Sequence, residues 1–136
     1  MKIMLDDGAK MPTRAHSWDA GLDLYSMEQR LIPGGCSASL NTGVHLNIPN
    51  GYVGLVKSRS GMMMNLNITT DGTIDSGYTG AIKVKLFNHG LLTHKVQSGD
   101  KIAQLVIVPC LLPELEPVDK LEETDRGDCG FGSTGR

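Results

Sequence analysis

A carboxylate and a phenol three positions apart, Asp75 and Tyr78, sit in the stretch Asp71-Gly72-Thr73-Ile74-Asp75-Ser76-Gly77-Tyr78-Thr79-Gly80. In a shielded site such an acid can orient water and take its proton, although a turn with a surface acid would use the same residues. Ser58-Arg59-Ser60-Gly61 brings hydroxyls, a guanidinium and backbone donors to a strand-to-helix junction, where an anion or an ordinary helix cap is expected. Gly99-Asp100-Lys101-Ile102-Ala103-Gln104-Leu105 places the Gln104 amide in an apolar strand, where it needs a partner, structural or otherwise. Ala20-Gly21-Leu22-Asp23-Leu24 holds an acid between two leucines, which by itself reads as a strand-end residue facing solvent. Near the end, Arg126-Gly127-Asp128-Cys129-Gly130-Phe131-Gly132-Ser133-Thr134-Gly135 has the parts of a phosphate and base clamp. An arginine forks onto phosphate, glycines bare their N–H groups, hydroxyls add donors and one ring stacks on a base. A disordered glycine-rich terminus has the same composition.

These residues must be positioned by a chain of 136 residues, the length of one domain. With 17 glycines and 6 prolines, long helices are disfavoured. Strand-sized runs lie between close turns. Val44, Leu46 and Ile48 alternate with polar residues, Asn50-Gly51 suits a tight hairpin into a strand from Tyr52 to Val56, and Ile82 to Leu86 alternates with period two. A second hairpin is expected over 71–80. The one helix expected is a turn or two opened by Ser60 as cap, with Met62, Met63 and Met64 in the core. The fold class is all-β, a sandwich, jelly roll or barrel whose edges call for closure or oligomerisation.

A net charge of -2 gives no electrostatic reason to expect nucleic acid or an anionic membrane as partner. Cys36, Cys110 and Cys129 form no CxxC pair, and His16, His45, His89 and His94 have no ligand-like spacing. With no apolar leader or spanning run, a cytoplasmic protein is expected. The last eleven residues, 126–136, hold four glycines and one large apolar residue, Phe131, so they are expected to be mobile alone.

Together AGLDLYS (20–26), KSRSG (57–61), DGTIDSGYTG (71–80), GDKIAQL (99–105) and RGDCGFGSTG (126–135) resemble, in order and spacing, the five motifs of the trimeric dUTP nucleotidohydrolases, or dUTPases. The resemblance spans nearly the whole chain. It implies a distorted jelly-roll or β-clip domain over 1–125, assembling as a homotrimer, with 126–136 as an arm closing over the nucleotide. It implies dUTP as substrate, split to dUMP and pyrophosphate. Asp75 would be the base, Tyr78 would pack against deoxyribose, and Thr73, Ile74 and Lys83 would read uracil. Arg59, Ser60, Gly61 and Gln104 would hold phosphates. Phe131 would cover the base while Arg126, Gly132, Ser133 and Thr134 close on the terminal phosphate. Mg²⁺ is implied as cofactor, held mainly by the substrate, with Asp23 supporting it indirectly.

Ser58 stands where the phosphate motif often has Pro, and Cys129 replaces a glycine common in the tail. A dCTP deaminase shares several motifs, but that branch typically has a glutamate ten residues after the hairpin aspartate, where this chain has Lys85. A nucleotide-gated protein-binding role, known for some phage members and implying a regulatory protein partner, is the other alternative; no inserted domain suggests it.

Overall fold

Alternating apolar and polar residues between closely spaced turns produce strands, and the computed structural model, which describes residues 1–130, contains eleven of them and one short helix. In chain order they are β1 (Lys2–Leu5), β2 (Gly21–Tyr25), β3 (Arg30–Ile32), β4 (Ser37–Asn41), β5 (Val44–Asn47), β6 (Tyr52–Lys57), α1 (Ser60–Leu66), β7 (Ile68–Thr69), β8 (Asp71–Ile74), β9 (Lys83–Asn88), β10 (His94–Val96) and β11 (Lys101–Pro109). All pairings are antiparallel. They form two-stranded sheets β1-β5 and β10-β3, a three-stranded sheet β4-β9-β7 and a four-stranded sheet β2-β11-β6-β8. The fold is all-β and jelly-roll-like.

β9 keeps the expected period of two: Val84, Leu86 and Asn88 are buried, whereas Lys83, Lys85 and Phe87 face out. Asn88 is tolerated inside because its Nδ2 donates to the Ile32 and Leu92 carbonyls, both at 2.8 Å, and its Oδ1 accepts from Gly90 N–H. Val84 and Leu86 join Leu24, Ile32, Leu40, Val56, Ile82 and Leu105 in one continuous buried interior. Each fully buried Leu or Ile there contributes about 1.5–3 kcal/mol. On β11 the alternation breaks at Ile102 and Ala103, both buried, where a bulge in the pairing with β2 absorbs one residue.

Several expectations need correction. Asn50-Gly51 does make a turn, with Gly51 at φ 78° and Tyr52 N–H donating to the Pro49 carbonyl. It does not close a hairpin, because β5 pairs with β1 while β6 pairs with β11 and β8. Nor do β8 and β9, flanking the 75–82 loop, pair with each other; β8 lies on β6 and β9 lies between β4 and β7. Local turn chemistry dictates where the chain bends, and the shared core dictates which strands it then joins. The helix has Arg59, not Ser60, at its N-cap and no side-chain cap bond. Of its methionines Met62 is buried, while Met63 and Met64 are exposed. No helix among the described residues is long and apolar enough to cross a membrane.

Candidate active site

The register of the four-stranded sheet places Asp23 (β2) opposite Gln104 (β11), Gln104 opposite Lys57 (β6), and Lys57 opposite Asp71 (β8). Directly opposed residues share a face, so segments far apart in sequence supply one row of polar side chains about 14 Å across. Lys57 and Asp71 are hydrogen-bonded, and the Lys57 ammonium holds the Asp71 carboxyl below its ordinary range.

At the other end of the row Asp23 is no solvent-facing strand end. Its side chain is only 14% exposed and is paired with Arg59 Nε at 3.0 Å and Lys101 Nζ at 2.7 Å. The outer edge of β2 is covered by a bridge to Thr13, whose carbonyl accepts Asp23 N–H at 2.7 Å. One carboxylate therefore serves two cations. The hydrogen bond that Lys101 Nζ donates to Asp23 keeps the ammonium charged beyond the usual lysine range. We expect Asp23→Asn to cost about 1–3 kcal/mol, since it leaves two cations facing each other without a counter-ion. The urea midpoint reads this directly, and an unchanged midpoint would show that the cluster needs no carboxylate.

The Gln104 amide has a partner inside the fold: Nε2 donates to the Ser58 carbonyl at 3.0 Å. A Cβ on Gly21 would collide with its Oε1, so only glycine at position 21 lets the amide lie across β2. Ser58, standing where a proline would stiffen the turn, is fixed in another way. Its Oγ donates to the Thr70 carbonyl at 3.0 Å and accepts Thr70 N–H at 2.8 Å. The next residues open α1, where Ser60 is exposed and Gly61 meets open space.

Asp23, Arg59, Ser60, Gly61, Lys101 and Gln104 line a cleft of about 480 Å³, together with Ala15, Asp19, Ala20, Gly21 and Val106. Three of the five sequence stretches thus converge. Lys101 was not singled out in the sequence, although it lies three residues before Gln104 in the same stretch; the signal was a cation next to an apolar strand, which alone has no target.

The remaining predicted residues lie elsewhere. Thr73 is exposed on β8, Ile74 packs against the core and Asp75 is exposed just beyond it. Since Ile74 pairs with Gly54 and Asp71 with Lys57, Asp75 begins more than about 10 Å along the sheet from the polar row. Tyr78 is half-exposed, with N–H donated to the Asp75 carbonyl and Oη donated to the Ala81 carbonyl at 3.0 Å. A side chain at Gly80 would strike the tyrosine ring. Lys83 is exposed at the start of β9. None of these lines the 480 Å³ cleft. Arg126 is also outside it, with Nε donated to the Cys129 carbonyl at 3.0 Å, and Phe131, Gly132, Ser133 and Thr134 lie outside the described residues.

The described residues thus form a jelly-roll-like domain with a polar, amide-lined cleft on one flank and an acid–phenol loop on another, its chemical groups split across its surface. The dUTPase family model matches residues 7–135, and the chain belongs to that family. It is 46% identical to the deoxyuridine 5'-triphosphate nucleotidohydrolase of Clostridium acetobutylicum, over 96% of this chain and 92% of that one. To the Mycobacterium marinum protein of the same name it is 44% identical, over 98% and 92%. Among solved structures it is similar to the Staphylococcus bacteriophage 80alpha dUTPase with dUpNHpp, at 33% identity and a TM-score of 0.92, covering 99% and 98% of the two chains. A mutant dUTPase of phage phi11 of S. aureus, described with a structural Mg(II) ion, matches at 33% identity and a TM-score of 0.82, over 90% and 98%.

Proposed function

We propose that this chain is a dUTP diphosphatase, hydrolysing dUTP to dUMP and pyrophosphate by attack of water on the α-phosphate. The reaction limits uracil incorporation into DNA and supplies dUMP for dTMP synthesis. The observation that carries the reading is the convergence of Arg59, Lys101, Gln104 and the first turn of α1 on one cleft organised by Asp23. Those groups are donors and cations, the chemistry that triphosphate oxygens need.

In this reading Arg59, Ser60, Gly61 and Gln104 hold the phosphates. Asp75 orients the attacking water and takes its proton. Tyr78 packs against the deoxyribose where a 2′-hydroxyl would stand. β8 has β6 on one side and no partner strand on the other among the described residues, so backbone groups at Thr73 and Ile74, with Lys83, are free to read a base edge. Because Asp75 and the cleft of one chain stand apart, the working site takes its cleft from one copy and its loop from another, which a homotrimer supplies. Residues 1–125 form the body and 126–136 the arm, whose Arg126, Phe131, Gly132, Ser133 and Thr134 close on the nucleotide. Three free cysteines suit a reducing, cytoplasmic setting.

Mg²⁺ fits this site as a companion of the triphosphate. No group of three or more His, Cys, Asp or Glu among the described residues is placed to hold a metal ion, and of the two carboxylates lining the cleft Asp23 is already shared by two cations while Asp19 accepts from His16 N–H. When bound, the ion would neutralise charge on the phosphate oxygens. Asp23 then acts through Arg59 and Lys101. Lys85, over the Phe87 ring at 5.2 Å, is exposed on the outer face of β9 and offers no acid for deamination.

Pyrophosphate release measured across the deoxynucleoside triphosphates and UTP tests the reading, with release from dUTP alone expected. Tyr78→Ala is expected to raise UTP hydrolysis relative to dUTP, because the ring that excludes the 2′-hydroxyl is gone. An unchanged preference would remove Tyr78 from that role.

A further inference from the structure

The loop from Asp75 to Ala81 carries both the proposed base and the sugar-facing tyrosine, and few bonds tie it to the body. At its end Ile82 N–H donates to the Val44 carbonyl at 2.8 Å, and near its start Ser76 Oγ reaches Asn50 Oδ1 at 3.3 Å. The tie in between comes from His45 on β5. Its Nδ1 lies 2.8 Å from the Thr79 carbonyl oxygen and its Nε2 3.0 Å from Asp6 Oδ1. A carbonyl has no proton to give, and neither has an ionised carboxylate, so both ring nitrogens must be donors. Only the imidazolium satisfies both partners at once.

We propose that His45, as the imidazolium, is a positioning residue that clamps the Asp75–Ala81 loop to β5 and to the residue following β1. The functional part of this rests on the roles given above to Asp75 and Tyr78; the clamp itself does not. His45 lies outside all five sequence stretches that carry the family resemblance. Its side chain is 18% exposed, whereas that of Asp6 is 41% exposed.

The groups around it are few. Asp6 supplies the opposite charge, Lys2 on β1 lines the same shallow groove, Met4 is its cross-strand partner and Thr79 is neutral. The Thr79 carbonyl foremost, and then Asp6, push the His45 pKa upward against partial burial. A raised folded value means that the clamp is complete below the ordinary histidine range, about 6.5, and is lost as pH rises through the folded value.

The test uses the full chain. Nitrogen-15 NMR of the imidazole is expected to show N–H at both ring nitrogens below the ordinary histidine value, about 6.5, with a midpoint above that value that falls in Asp6→Asn. Amide exchange at Tyr78–Ala81, compared at one pH below the midpoint, is expected to be about 3- to 10-fold faster in His45→Gln, which can supply one bond but not two. In the parent, kcat/KM for dUTP is expected to fall through the same midpoint, mainly through kcat, a step that shifts with Asp6→Asn and disappears in His45→Gln. A midpoint at or below the ordinary histidine value, or equal loop exchange in parent and His45→Gln, would overturn the clamp. Should the NMR and exchange results hold while kcat/KM shows no step tied to His45, the positioning role is overturned and the contact is structural only. A parent chain inert toward dUTP is a different failure, that of the proposed function, and leaves the exchange result to decide the clamp.

Discussion

Asp75→Asn is expected to bind dUTP and to lose turnover by at least on the order of 10²-fold, the scale of a positioned general base. The substitution keeps size and hydrogen-bonding shape and removes the ability to take a proton. Near-parental turnover would take Asp75 out of the reaction. The same variant tests where the site is built. Asp75 leaves β8 at the end opposite the row that joins Asp71 and Lys57 to Gln104 and Asp23, and it does not line the cleft that holds Arg59. If a cleft from one copy meets a loop from another, each site in a mixed assembly draws its two halves independently. Asp75→Asn chains refolded with an equal amount of Arg59→Ala chains should then recover about a quarter of parental activity, because a heterologous interface pairs unlike copies as readily as like ones. Each variant alone stays nearly inactive. A mixture no more active than its parts would mean that both residues must come from one chain, contrary to the proposal.

The parts of this arrangement that were legible in the sequence are those written locally. The β9 alternation, the short helix after Arg59 and the turn at Asn50-Gly51 each depend on residues within a few positions of one another. The five stretches were legible for the same reason, since each concentrates its donors, acids and glycines within a short segment. Asp23 was misread because its partner Arg59 is 36 residues away, and nothing between the two leucines announces an ion pair. The strand partners of β5 and β8 were equally hidden: a turn signal dictates a bend, whereas pairing depends on which apolar faces cover a common core. The methionine run shows the limit of composition as a guide. Met62, Met63 and Met64 are chemically identical, and the rotation of one helical turn buries the first and exposes the others. His45 carried no sequence signal at all, because its two acceptors, Asp6 and Thr79, come from opposite directions along the chain.

Deletion of residues 126–136 is expected to leave the fold and association intact while reducing dUTP turnover severely. The described core contains no residue from this segment; the buried cluster ends at Leu105 and the last strand at Pro109. Composition explains what the segment would do instead. A glycine-rich free chain has many conformations, and ordering each residue costs roughly 1–2 kcal/mol of backbone entropy. Contacts with a bound nucleotide must offset that cost, and the segment offers Arg126 for phosphate, Ser133 and Thr134 as donors and Phe131 for the base. Phe131→Ala should therefore be a milder version of the deletion, since base–aromatic stacking is worth about 1–3 kcal/mol by alanine substitution. Phe131→Trp should report closure as fluorescence quenching when a non-hydrolysable dUTP analogue is added. Trp18, 91% exposed, supplies a background that the parent protein measures. Cys129 adds a side chain where the family commonly has glycine, and Cys129→Gly is the control for whether that Cβ hinders closure. A truncated chain that turned over dUTP at the parental rate would reduce residues 126–136 to a glycine-rich terminus, and would place every group needed for catalysis within the β domain and its neighbouring copies.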